Sequence, residues 1–535
     1  LKRRQLLKHL GAVIPAVALS PYARATDALA QAGTGTIAAG PFAPTWDSLS
    51  SYQTPDWFRN AKFGIWAHWG PQCEPEHGDW YARGMYEEGS AHYRYHVAKY
   101  GHPSRFGFKD VIHQWKADRW DPEALLALYR KAGARYFMAL ANHHDNLDLY
   151  NSSYQPEWNS TRVGPGKDVI GGWSRAARAN GMRFGVSVHA ARTWTWFEDA
   201  QRADKSGPYA GIPYDGNLTR ADGKGAWWEG MDPQALYAQN HAPGAAIPDQ
   251  AYCDKFFNRT RELIDNYDPD MVYYDDAVLP LFPFSDVGLR LTAHMYNRSI
   301  AIKGRNEAVV NGKILNEQQR RSMVWDIERG QSHRIEPLPW QTCTCIGSWH
   351  YDRSLYEREG YKSAQTVVHT LIDVVSKNGN LLLSVPVRGN GTIDEQERAI
   401  VEEIGRWMAV NGEAIYDTRP WAVYGEGPVA REAAATPMPG KGFNEGQGKP
   451  FSAADVRFTA KDKTVFAFVM GWPATGKVSI EAMGSASPHL SGPVRRVELL
   501  GAKRALAFEQ TAQGLQVTLP ADTPALVYAS ALKIS

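Results

Sequence analysis

The feature that most limits how this chain can fold is an alternation of short apolar runs with segments of helical periodicity. The runs are FGIWAHW (63–69), YFMALANHH (136–144), RFGVSVHAA (183–191), MVYYDD (271–276), AVVNGK (308–313), MVWDIERG (323–330), QTCTCIG (341–347) and NLLLSVPV (380–387). Most are apolar almost throughout, as strands buried on both faces must be. Between them, PEALLALYRKAGA (122–134) follows Asp121, a predicted N-cap, and ends at Gly133. YCDKFFNRTRELIDNY (252–267) repeats apolar residues at helical spacing. SAQTVVHTLIDVVSKNG (363–379) starts at Ser363 and stops at Asn378-Gly379, a left-handed cap. Eight strand–helix alternations predict an α/β fold, a (β/α)8-like barrel over residues 42–416. From 417 to 535 the helices cease. Alternating stretches such as KTVFAFVM, VRRVELL and LQVTLP predict a C-terminal β-sandwich. Within it TPMPGKGFNEGQGKP (436–450) is Gly/Pro-rich and reads as a mobile loop.

Residues 1–25 read differently. A basic start, an apolar middle from Leu10 to Leu19 and the small-residue site Ala23-Arg24-Ala25 predict an export signal cleaved after Ala25. Arg3-Arg4-Gln5-Leu6-Leu7-Lys8 resembles the twin-arginine pattern. The apolar middle is shorter than the roughly 20 residues a membrane span needs. The expectation is therefore an exported protein, periplasmic or extracellular, without a membrane anchor.

Charge excludes some partners. Lys plus Arg (59) nearly balance Asp plus Glu (57), so no global field points to nucleic acid or an anionic membrane. The 19 Trp and 25 Tyr suit sugar stacking, and a large barrel also buries many aromatics. Cys73, Cys253, Cys343 and Cys345 are too few and too uneven for a disulfide framework. Cys343-Thr-Cys345 lacks the zinc-knuckle spacing, so these read as buried thiols, and no metal or other cofactor is expected.

In a barrel of this kind the active site lies at the carboxyl ends of the strands. Those ends carry His68, His143, His144, His189, Asp275, Asp276, Lys313 and Glu328, with Trp349 just beyond the seventh. Successive strand residues face opposite sides, so only one of Asp275 and Asp276 can enter the barrel mouth, and period alone does not say which. Two carboxylates with imidazoles and indoles suit glycoside hydrolysis, in which one attacks or activates water and the other donates a proton to the leaving oxygen. Glu328 is the natural partner of the aspartate; the rival reading pairs it with its neighbour Arg329. For His143-His144-Asp145 the rival is a metal site, against which adjacent histidines on a strand should diverge.

FGIWAHWG, GDWY, NHHDN, DPDMVYYDD, ERG, PWQTCTCIGSWHYD and VSKNGNLLLSVPVRGNGTI, in that order from about Trp57 to Trp421, resemble glycoside hydrolase family 29, the α-L-fucosidases. The resemblance implies a retaining exo-hydrolase acting on fucosylated oligosaccharides or glycoconjugates. It places the nucleophile at Asp275, the acid/base at Glu328, fucose-binding histidines at His68, His143 and His144, and a stacking indole at Trp80. There are departures. Asp79 stands where several members have Glu, Lys313 where an Arg is common, Gln341 where some relatives have Glu, and His189 near a position that is often Tyr. The segment from Trp194 to His241, with Trp227, Trp228 and Tyr237, reads as a large insert on the leaving-group side. Activity on α-L-galactosides and a non-catalytic sugar-binding barrel are the alternatives.

Overall fold

The computed structural model describes residues 35–535 apart from 239–243, 245–246, 436–442 and 522–527; the predicted export signal lies outside the described residues. Eight parallel strands close a barrel in chain order: β1 Phe63–Ala67, β2 Tyr136–Asn142, β3 Arg183–Val188, β4 Met271–Tyr274, β5 Val309–Gly312, β6 Val324–Asp326, β7 Trp340–Cys345 and β8 Gly379–Ser384. Apart from Arg183 at the start of β3, every residue of these strands is buried, which is why they read as continuous apolar runs. The helices between them start where the sequence offers a cap. Asp121 accepts from the Ala124 amide ahead of helix Pro122–Lys131, and Asp249 does the same for Tyr252 ahead of helix Gln250–Tyr267. The expected stop at Asn378-Gly379 divides in two. Asn378 alone takes the left-handed turn (φ 73°), and Gly379 opens β8, where a Cβ would meet the Trp340 indole at 2.7 Å.

The second domain is antiparallel, but helices do not cease there as expected: the Ala-rich segment Pro428–Ala435 forms a helix after its first strand. One sheet has the order β13-β16-β11-β10-β9, with β9 Arg419–Glu426, β10 Val456–Lys461, β11 Thr464–Val469, β13 Val497–Leu499 and β16 Ser530–Ile534. The other has the order β12-β15-β14, with β12 Lys477–Ile480, β14 Phe508–Gln510 and β15 Leu515–Thr518. Val456, Phe458, Ala467 and Val469 of the first sheet share an apolar core with Val478, Ile480, Leu515 and Val517 of the second, which makes a sandwich. No helix among the described residues is long and apolar enough to cross a membrane.

The two domains are joined by buried polar contacts. Arg457 on β10 donates from Nε to Asp373 Oδ1 at 2.6 Å, and Lys377 donates to Oδ2 of the same carboxylate at 2.5 Å. Thr459 and Trp407 add hydrogen bonds to the Ala414 and Ala529 carbonyls. Removing the shared anion would leave two buried cations facing each other. Asp373→Ala is therefore expected to lower the unfolding free energy by about 3–5 kcal/mol, measured by denaturant titration. A loss under about 1 kcal/mol would show that the cations reach solvent instead.

Candidate active site

Below the mouth the barrel is plugged. Trp66 packs against Tyr273 at a centroid distance of 4.9 Å, and the Tyr273 hydroxyl sits 3.5 Å from Cys343 Sγ. Gln341 donates to Asp326 at 2.7 Å and accepts from the Tyr136 hydroxyl at 3.0 Å. Burial pushes the Asp326 carboxyl up to about 7 despite its Gln341 and Cys343 donors. This polar layer is the floor of the site.

The aspartate ambiguity is resolved by backbone continuity. The Asp275 amide donates to the Val188 carbonyl at 3.2 Å and carries the ladder one residue past β4, so Asp275 keeps the inward parity of Tyr273. Asp276 turns outward, its Oδ1 lying 3.5 Å from Arg192 Nε. On the far side, amide bonds from Ile327 to Gln341 and from Arg329 to Cys343 extend β6, so Glu328 shares the inward parity of Asp326. The two carboxylates meet at Lys313, just past β5. Its ammonium donates to Glu328 Oε2 at 2.5 Å and, at closer range, to Asp275 Oδ1. Two oxygens so close to one nitrogen cannot stand more than about 5 Å apart. Burial alone would raise the Asp275 carboxyl, but Lys313, His189 and His144 outweigh it and hold it well below the usual carboxylate range. The rival Glu328–Arg329 pair does not form: Arg329 pairs with Glu445, at 3.4 Å.

Around this pair lie His68, His143, His144, His189 and His350, all buried. His143 and His144 do not diverge as expected for strand neighbours. β2 shifts register between Leu140 and Asn142 and ends there, so both rings turn into the mouth with centroids 4.4 Å apart. The turn beyond them is anchored from behind: Arg259 of helix Gln250–Tyr267 forks onto Asp148 at 2.7 and 2.9 Å and donates to Asn146 Oδ1 at 2.6 Å. Asn142 Oδ1 accepts the His189 and Ala190 amides at 3.1 Å, tying that turn to the end of β3. His144 Nε2 and His189 Nδ1 lie 3.2 and 3.1 Å from Asp275 Oδ2. Gln72 donates to His143 Nδ1 at 2.7 Å, which leaves the proton of the neutral ring on Nε2. Burial and neighbouring imidazoles hold His68 and His143 well below the ordinary imidazole value, and burial takes His189 down to about 4 although Asp275 opposes it.

The chemistry of the imidazoles also suits a metal. Among the described residues, His68-His143-His350 and His143-His144-His189 each bring three ligand atoms within 4.8 Å of one another. Asp145 belongs to neither triad, its carboxylate accepting from Gln72 and the Leu147 amide, so the rival His143-His144-Asp145 set is not assembled.

Trp349 packs on His68 and Trp66 at 5.4 and 5.5 Å. Trp80 stands apart on the rim, 49% exposed and in a left-handed backbone (φ 63°), with no ring contact to the histidines among the described residues. Asp79 turns its carboxylate to the His350 amide at 2.7 Å. His350 itself escaped sequence reasoning because it follows the strand end by several residues; its only signal was its place beside Trp349. The insert also differs from expectation. Tyr237 is buried with its hydroxyl on Asp215, Trp228 is buried beside Lys109, and Trp227 stacks on His113 at 4.2 Å. Trp196 of the insert does reach the site, 5.3 Å from His144.

A carboxylate pair in a barrel mouth, set over buried imidazoles and indoles, is the working arrangement of a glycoside hydrolase. The α-L-fucosidase family model matches residues 29–413, and that of the α-L-fucosidase C-terminal domain matches 449–535. The chain belongs to the α-L-fucosidase family, glycoside hydrolase family 29. Tissue alpha-L-fucosidase of Rattus norvegicus is 26% identical over 507 residues, covering 92% of each chain. The Homo sapiens tissue enzyme is 26% identical, over 91% of this chain and 89% of its own. Among solved structures, Thermotoga maritima alpha-fucosidase, also seen in complex with fucose, superposes with a TM-score of 0.67 at 25% identity, covering 92% of this chain and 100% of that one.

The charge states set a pH prediction. As pH falls from 7 towards 5, His68, His143 and His189 stay neutral and Asp275 stays ionised. The acid limb of kcat/KM is thus expected below about pH 5. A limb near 6.5, the value of a free imidazole, would show that one of these rings charges in the working range.

Proposed function

We propose that this enzyme is an exported, exo-acting, retaining α-L-fucosidase that removes terminal α-L-fucosyl units from oligosaccharides or glycoconjugates. The observation that carries the reading is the approach of Asp275 and Glu328 to one ammonium. Carboxyl groups about 5–5.5 Å apart suit a double displacement, whereas an inverting pair needs about 6.5–9.5 Å to admit water. Asp275, ionised and inward, attacks the anomeric carbon while Glu328 protonates the departing oxygen. Water, deprotonated by Glu328, then attacks the fucosyl–Asp275 ester from the same face as the lost aglycone. The closed floor supports end-on entry of a single ring. His68 Nδ1, His189 Nε2 and His350 Nε2 find no partner among the described protein groups, and sugar hydroxyls would satisfy them. Trp349 offers an apolar face for the ring, and Trp80 a rim surface. Export rests on the sequence of residues 1–25 alone.

Asp275→Ala is expected to lose at least about 10³-fold in kcat on an aryl fucoside while folding normally. Added azide should restore turnover and yield the β-fucosyl azide. Glu328→Gln should lose about 10²-fold or more on alkyl fucosides and far less on activated aryl ones. Near-normal rates in Asp275→Ala would sink the nucleophile assignment, and equal losses for Glu328→Gln on both substrate types would move the acid role.

The histidine triads favour one competing reading, a metal-assisted hydrolase. Exhaustive dialysis against a chelator is expected to leave the rate unchanged. Loss that zinc alone restores would replace the carboxylate mechanism.

A further inference from the structure

Of the stretch 436–450, expected to be a mobile loop, residues 436–442 lie outside the described residues, and residues 443–447 lie on the barrel beside Glu328. The Phe443 amide donates to the Glu328 carbonyl at 2.8 Å, and the Glu445 amide donates to the Arg329 carbonyl at 2.9 Å. Asn444 takes both backbone groups of Gln331, accepting from its amide at 2.8 Å and donating to its carbonyl at 3.0 Å. The Glu445 carboxylate accepts from Lys362 at 2.7 Å and Thr344 at 2.8 Å through one oxygen, and pairs with Arg329 at 3.4 Å through the other. On the inner side, the Arg329 amide donates to the Cys343 carbonyl at 2.8 Å, and Thr342 donates to Gly330 at 2.6 Å. The loop 328–331 is thus held between β7 and a segment of the second domain. The fit is tight, since a Cβ on Gly330 would come within 2.9 Å of Asn444 Oδ1. Arg329 is held at φ 46°, a left-handed conformation that a non-glycine residue keeps only where its surroundings impose it.

A general acid must reach within about 3 Å of the oxygen it protonates. A displacement of about 1 Å can cost on the order of 10²-fold. We propose that Glu445, with Asn444, is a positioning residue: the second domain clamps the loop that carries Glu328 and so sets where the acid/base points. The inference rests on the reading of Glu328 as acid/base. It gives the sandwich a part in the reaction without contact with the sugar.

The test compares an alkyl fucoside, which needs acid assistance, with a dinitrophenyl fucoside, which does not. Glu445→Gln and Asn444→Ala are each expected to lose about 10–100-fold in kcat on the alkyl substrate. On the aryl substrate the loss should stay within about threefold, with KM little changed on either. Melting curves report folding, and Asn444→Ala carries the comparison if Glu445→Gln does not fold. Equal losses on both substrates, or none on either, would overturn the positioning role. Glu328→Gln run alongside separates the two failures. If it shows the split and the clamp variants do not, positioning alone fails; if it shows no split, the acid/base reading falls first.

Discussion

The site depends on one ammonium. Asp275 and Glu328 are drawn within about 5 Å of each other, where two carboxylates repel by about 3 kcal/mol at an effective dielectric near 20. Lys313 lies at roughly half that distance from each, so either attraction is about twice the repulsion. Without the cation, burial would push the Asp275 carboxyl up and cost it the charge with which it attacks. With it, Asp275 stays charged and ready to attack. The ends of β4, β5 and β6 can therefore be read as one electrostatic unit.

The imidazoles answer a different need. Five buried charged rings beside a lysine would be untenable, and burial keeps His68, His143 and His189 neutral. A neutral ring offers one donor and one acceptor, which suits hydroxyl groups. His144 has a more constrained role. It donates from Nδ1 to the His189 carbonyl at 2.8 Å while its Nε2 lies 3.2 Å from Asp275 Oδ2, so the ring is fixed between the end of β3 and Asp275.

Much of the fold was legible because each barrel strand is buried on both faces and stands out as an apolar run. The site was legible because polar residues gather at one end of those runs. What could not be read has physical causes. Alternation assumes an unbroken ladder, and the register shift near Leu140 turned His143 and His144 the same way. His350 lies in a loop whose path depends on Asp79, 271 residues earlier in the chain. The aromatics of the insert looked like sugar platforms, yet Tyr237 and Trp228 are consumed by a buried cluster around Asp215 and Lys109. Composition made residues 443–450 look as free as the rest of their Gly/Pro-rich stretch. Glycine and proline report local propensity and say nothing of the hydrogen bonds by which residues 443–445 cap the Glu328 loop.

The departures from the family pattern form a consistent set. A guanidinium is a planar fork suited to gripping one carboxylate with two parallel bonds, whereas an ammonium is a point charge that two carboxylates can share. Lysine at 313 therefore favours a bridge between Asp275 and Glu328 over a clamp on either. Gln341 fits the same site from below. A glutamate there would place a carboxylate against Asp326, whose carboxyl burial already raises to about 7. The amide instead donates to Asp326 and accepts from Tyr136. Asp79 completes the set, since its short arm ends at the His350 amide and holds an imidazole in place. In each case the residue present orients a neighbour, which concentrates the reacting chemistry of the mouth on the two carboxylates that Lys313 joins.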